Sequence, residues 1–426
     1  MNSSQLLILG NGFDLHCGLE SSYKDFFERT ILDTVGGRYF LSQTQYGVSG
    51  FWERLMLEYY KAYQDYDYKW CDIEQIIYDT LWLIVYGEDD NESFNSNSGL
   101  GKRAFDCSKM GRDLDKEIIF SDPIKRFIFR YIVLYFDKHV QQRITYSEQD
   151  NLYMLNQHLL QELHNFERRF CKYIKNCIFD EQNKANENYI IKAIKLLSQL
   201  TGFSMPDYKG VDDMTRTELQ QDWEQIAPNA CREIFKNIKV LSKEFYYLGN
   251  VNILSFNYTA LFDILGVESP CAYSNVHGKL CSEQCTKDCK ESSVIFGIDD
   301  SFVQSQELNS DLRLFSKTYR KMMDTSAPMS ILPPNDNKLI EIKFYGHSLS
   351  KADYSYFQSI FDYYDLYSNN NVRLIFYYSK GYEQNDAIYR LINSYGKTLV
   401  NKDQGKNLIH KLLLENRLNI VELNDN

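Results

Sequence analysis

None of the ten cysteines stands in a C-x-x-C pair, no Lys or Arg precedes Lys24, and no apolar run reaches membrane-spanning length. Free thiols are therefore expected. The second absence removes the positively charged opening region of a secretory signal. A membrane span needs roughly 18 apolar residues, and the longest candidate, Phe127–Phe136, is interrupted by Arg130. A reducing cytoplasm is the expected compartment. The chain also lacks a basic footprint. Its net charge of -11 argues against nucleic acid as the main partner, because phosphate neutralisation needs clustered Lys and Arg. There is no internal repeat and no long low-complexity tract.

What is present describes a globular protein. Hydrophobic residues make up 44% and charged residues 25%, enough apolar surface to bury a sizeable core. The 33 Tyr and 26 Phe suit thick helical layers and buried interfaces but name no chemistry. At roughly 150 residues per domain, the 426 residues predict two or three folding units.

Gln5–Leu9 is a short apolar run ending in glycine, which reads as a buried strand turning into a helix. Comparable runs return at Val251–Phe256, Ser293–Phe296, Leu339–Tyr345, Val372–Tyr378 and Leu418–Leu423. Most are continuous rather than alternating, as in parallel strands covered on both faces. Between them, roughly 50–247 read as helical. Leu152, Leu155, Leu159, Leu163, Phe166, Phe170, Ile174 and Cys177 share one face at steps of three and four. Such a stripe is either internal core or a homo-oligomer seam. Ser147 or Asp150 would cap this helix. The pattern continues through Ile190, Ile194 and Leu197, then Cys231, Ile234, Ile238 and Leu241. Gly87–Lys102 is polar and reads as a loop or lid, and Thr201–Thr217 as a connection. The expected fold is α/β. A discontinuous core of residues 1–45 and 248–426 forms a parallel sheet flanked by helices, with 46–247 an inserted α-helical domain.

Candidate chemistry clusters at the ends of predicted strands, where open α/β sheets bind ligands. Gly10-Asn11-Gly12-Phe13-Asp14 follows the first strand. It is either a tight turn or a place for a phosphate near backbone N–H groups, although the full G-x-G-x-x-G spacing is absent. Asp14 beside a phosphate would have to face a ribose hydroxyl or a water. Asn257 and Tyr258 follow the second run. Asn257 either closes the turn or offers donor and acceptor groups to a ribose or water. In Asn275-Val276-His277-Gly278 the imidazole suits general-base work near neutral pH, or a structural role. Gly346-His347-Ser348 with Asp353 follows another strand, and Ser348 would hold phosphate or ribose, cap the helix near Lys351, or both.

Trp70, Asp72 and Glu74 are expected to support the site from behind, since residues two apart do not share a helix face. Cys281, Cys285 and Cys289, with Cys271 or His277, are spaced in a way that admits metal. The surrounding charges instead suggest an exposed excursion, and no metal is expected.

Together, LILGNGFDLHCGLESSYKDFF, WCDIE, LSFNYT, VHGKL, FGID and YGHSLSKAD resemble the AbiH family of bacterial abortive-infection proteins along most of the chain. The order of glycine turn, Asn after a strand, His-Gly and Gly-x-Ser is also similar to the sirtuin-like (SIR2-like) Rossmann-like fold. That resemblance implies NAD as ligand or substrate, with Asn257 positioning ribose or water and His277 acting as base. It implies Gly10, Gly12 and Ser348 as phosphate and ribose contacts, with Asp14 shaping the pocket. Thr259 stands where an acidic residue is common in that fold, Asn11 replaces a small residue, and the paired C-x-x-C zinc module is missing. The expected function is an anti-phage effector hydrolysing NAD at the nicotinamide–ribose bond, with a phage-derived trigger or a partner defence protein. A non-catalytic sensor of NAD or an ADP-ribose-like nucleotide is the alternative, and a nuclease or nucleotidyltransferase toxin a third.

Overall fold

The computed structural model describes residues 3–35, 38–41, 50–63, 72–87, 99–110, 120–140, 148–179, 186–202, 251–261, 264, 272–280, 294–299, 310–323, 330–336 and 338–423. The chain packs as two compact units, one of residues 1–21, 174–294 and 325–426, the other of 22–173 and 295–324.

The first unit is built on six parallel strands: β1 Ser4–Leu9, β4 Val251–Ser255, β5 Tyr273–Asn275, β6 Ile340–Tyr345, β7 Val372–Ser379 and β8 Leu418–Leu423. Their order across the sheet is β5-β4-β1-β6-β7-β8. Counted along the chain within this sheet, that order is 3-2-1-4-5-6, the arrangement of doubly wound dinucleotide-binding sheets. The fold is thus α/β and consistent with a Rossmann-like sheet. The direction of winding reverses between β1 and β6, which pair with Leu9 opposite Tyr345. On its other side β1 pairs with β4, Leu9 opposite Ser255.

Leu6, Leu7 and Ile8 of β1 are fully buried, as a central strand covered on both faces requires. Ile342 and Phe344 of β6, Leu374 and Phe376 of β7, and the helices that follow them build one apolar layer. From helix α10 (Tyr354–Tyr363) come Phe357, Ile360 and Phe361; from α11 (Asn385–Thr398), Ile388, Leu391 and Ile392; from α12 (Lys402–Leu414), Leu408 and Leu412. Helices α11 and α12 cross where Gly396 meets Gly405, whose backbones leave no room for a Cβ on either. Helix α8 (Glu187–Thr201) packs against β1 and against the short α1 (Gly12–His16). Asn186 caps its start by accepting from Tyr189 N–H, and Gly202, left-handed at φ 76, ends it. Arg417, entering β8, is buried. Its guanidinium donates to the carbonyls of Val372 (2.8 Å) and Leu366 and to Glu415 Oε2 (2.9 Å).

The second unit holds helices α2 (Tyr23–Thr30), α3 (Phe51–Tyr63), α4 (Ile73–Val85), α5 (Leu100–Lys109), α6 (Pro123–Val140), α7 (Glu148–Ile178, whose last turn belongs to the first unit) and α9 (Lys317–Met322), with a hairpin of β2 (Leu32–Val35) and β3 (Arg38–Leu41). The expected stripe is real: Leu155, Leu159, Leu163, Phe166 and Phe170 of α7 are all buried. Of the expected caps of α7, Asp150 lies in its first turn and Ser147 is outside the described residues. The end of the expected Gly87–Lys102 loop is already helix α5, while 88–98 lie outside the described residues.

One strand expectation fails. Residues 294–297 are not a strand. Phe296 N–H donates to Glu167 Oε1 at 2.7 Å and its carbonyl accepts from Arg320 at 2.7 Å, so side chains satisfy the groups a ladder would use. Its ring joins Tyr23, Phe166 and Phe170 in an aromatic cluster. The sixth strand is β5 instead.

Candidate functional site

At the carboxyl ends of β1 and β6 two glycine turns lie in backbone contact. Gly10 N–H donates to Tyr345 O (2.9 Å) and Gly12 N–H to Gly346 O (2.8 Å). A Cβ on Gly12 would come within 2.6 Å of Gly346 Cα, and Gly346 is left-handed at φ 70. These glycines thus have a packing requirement, and two N–H groups of the first turn are committed to the second turn. Phe13 N–H donates to Gly10 O, and Asn11 accepts from Ser21 Oγ at 2.6 Å.

Asp14 is 1% exposed. Tyr189 O–H donates to its Oδ1 (2.8 Å) and Thr259 O–H to its Oδ2 (2.6 Å). Burial pushes the Asp14 carboxyl up to about 6, and the two hydroxyl donors oppose part of that rise. Burial also lifts the Tyr189 phenol, helped by the Asp14 charge, and the Cys17 thiol.

Thr259 carries this cluster onward. Asn275 Nδ2 donates both to Thr259 O (3.0 Å) and to Asn257 O (2.8 Å), while Tyr273 O–H donates to Thr259 O at 3.2 Å. The Tyr273 phenol is pushed up to about 12, chiefly by burial. Asn257 is 3% exposed, and Leu280 N–H donates to Tyr258 O, knitting the turns after β4 and β5 together.

The third cluster is a carboxylate between two imidazoles. Asp353 Oδ1 lies 2.9 Å from His277 Nε2, and its Oδ2 lies 3.4 Å from His347 Nε2. All three side chains are buried. Leu349 N–H donates to His347 Nδ1 at 2.9 Å, which fixes that nitrogen as the acceptor. Leu349 holds φ 54, a left-handed conformation for a branched residue, and Gly278 after His277 is left-handed at φ 79. Phe256 packs edge-to-face on both imidazoles, at 4.4 Å from His347 and 5.4 Å from His277.

The structure therefore brings the Gly10–Asp14 turn, Asn257, Tyr258, His277, Gly278, Gly346, His347 and Asp353 to one rim. Ser348 is exposed, and the cap position of the turn before α10 falls on Ser350 rather than Ser348. Asp72 caps α4 by accepting from Gln75 N–H, and Glu74 pairs with Lys317 at 2.7 Å, both within the second unit. Trp70 and Cys271, Cys281, Cys285 and Cys289 lie outside the described residues. Among the described residues no group of three His, Cys, Asp or Glu side chains is placed to hold a metal ion.

A family model described as Bacteriophage abortive infection AbiH matches residues 6–378, from β1 to the end of β7. The chain belongs to the AbiH family. Abortive infection of bacteriophage is the role that membership gives it. No curated protein and no solved structure matches the chain. Among the described residues no helix is long and apolar enough to cross a membrane.

Tyr189, Thr259 and Asn275 escaped the sequence reading as working parts. Tyr189 carries no local signal within a helical stretch, whereas Asn275, two residues before His277, could have been found from the motif.

Proposed function

We propose that this AbiH protein is a cytoplasmic effector that hydrolyses NAD at the nicotinamide–ribose bond, on a sirtuin-like core into which residues 46–247 are inserted. One observation supports the reading: His277, in the turn after β5, lies 2.9 Å from Asp353, which follows β6, so this pair links strand ends on the two sides of the β1–β6 winding reversal. Dinucleotides lie across that reversal in doubly wound sheets. Nε2 of His277 faces Asp353, so proton exchange with a water runs through Nδ1. Asn257 orients the water and the ribose. The water oxygen bonds to the ribose carbon, the bond to the pyridinium nitrogen breaks with its electron pair going to nicotinamide, and the water proton passes to His277. Asp353 stabilises the imidazolium that results. Gly346, His347 and Ser348 border the ribose-phosphate path, and a phage-derived trigger or partner defence protein switches the enzyme on.

Purified protein incubated with NAD, alone and with infected-cell lysate, releases nicotinamide. His277→Ala and Asn257→Ala each reduce release by about 100-fold or more and abolish phage protection. No release under any activating condition refutes the reading. The sensor alternative draws on the deep burial of Asn257 and His277 and on the committed N–H groups of Gly10 and Gly12. It expects nucleotide binding and protection to survive both substitutions.

A further inference from the structure

Asn275 ends β5 and is 7% exposed. Its Nδ2 donates to the carbonyls of both Asn257 and Thr259. Two acceptors on one amide nitrogen fix which way the amide faces, so Oδ1 turns away from those carbonyls. That oxygen is buried and has no hydrogen-bond partner among the described residues. The same holds for Oδ1 of Asn257. Both side chains are more than nine-tenths buried; Asn275 is the last residue of β5, and Asn257 lies two residues past the end of the adjacent, parallel β4. An unmet buried acceptor carries a desolvation cost that a ligand donor removes.

We infer that Asn275 and Asn257 form a donor-reading subsite that accepts a neutral O–H or amide N–H group of the ligand. The inference rests on the nucleotide reading of the site and adds a residue and a polarity to it. Two carbonyl-type oxygens repel a phosphate, so the anionic part of a dinucleotide lies elsewhere along the rim. In NAD the required donors occur twice in the reactive half, on the carboxamide of nicotinamide and on the hydroxyls of its ribose.

The test measures dissociation constants in the cold for the full chain, with nicotinamide release followed in parallel. The ligands are NAD, its deamido form bearing a carboxylate, and an analogue lacking the 2′-hydroxyl of the nicotinamide ribose. The wild-type protein is expected to bind at least one analogue about 10- to 100-fold more weakly than NAD, and the weaker one names the donor. Asn275→Ala closes that gap to within about twofold. A purely structural Asn275 would lower affinity for all three ligands alike, which overturns the inference. So does equal binding of the three by wild type, a result that decides the matter even where the variant fails to fold, and that leaves hydrolysis standing if nicotinamide is released. Discrimination without nicotinamide release overturns hydrolysis alone. Binding of none of the three overturns both.

Discussion

Replacing Asp14 by asparagine should stabilise the protein above neutral pH. The Asp14 carboxyl is raised from 3.8 to about 6 by burial. Each unit corresponds to about 1.4 kcal/mol, so the ionised carboxylate costs the folded state about 3 kcal/mol relative to its protonated form. The folded protein holds this proton more tightly than the unfolded chain. Its stabilising contribution is complete below about pH 3.8 and is lost as pH rises through about 6. Between pH 5 and 8 the wild type loses about 1 kcal/mol from this group alone. The amide that the substitution introduces carries no charge, but it keeps only one acceptor for the hydroxyls of Tyr189 and Thr259. Rearranging one hydroxyl costs about 1 kcal/mol, leaving a net gain of about 2 kcal/mol at pH 8. The assay is paired denaturant unfolding of wild type and Asp14→Asn across this range, in which every other titration cancels. The stability difference, variant minus wild type, should climb by about 1 kcal/mol from pH 5 to 8. A flat difference, or one that falls with pH, refutes the reasoning.

Three further outcomes are expected from the same unfolding measurements. Gly346→Ala must hold a left-handed backbone and push against Phe13 N and Gly12, which should cost about 3 kcal/mol or more and release the two turns from each other. Gly405→Ala drives a methyl into Gly396 O where α11 and α12 cross, a loss of about 1–3 kcal/mol with the site intact. Arg417→Leu strands the carbonyls of Val372 and Leu366 and should cost about 3–5 kcal/mol.

Apolar-rich runs marked β1, β4, β6, β7 and β8; in central β1 the run is continuous because a strand covered on both faces needs no polar alternation, whereas edge strand β8 leaves Ile420 and Val421 exposed. They did not mark β5, whose Tyr273-Ser274-Asn275 has no apolar run and finds its place through pairing with β4. Phe296 misled in the opposite sense: its neighbourhood is as apolar as a strand, but Glu167 and Arg320 take its backbone groups. Glycine, Asn, His and Asp were legible as punctuation after strands. Their partners were not, because a side-chain contact such as Asp14 with Tyr189, or Asp353 with two imidazoles, is set by three-dimensional register. Nor does any motif reveal that N–H groups in a glycine turn are spent on another turn.

The middle strand of the sheet has consequences for assembly. Gln5 on β1 meets Lys343 on β6 across a separation of 338 residues. During synthesis β1 emerges long before either flanking strand, so it waits unpaired while the intervening polypeptide is made. Such long-range closure is slow and comes late. A nascent chain that stops short of β6 therefore lacks Gly346, His347 and Asp353, and the rim is complete only after Asp353 has been translated.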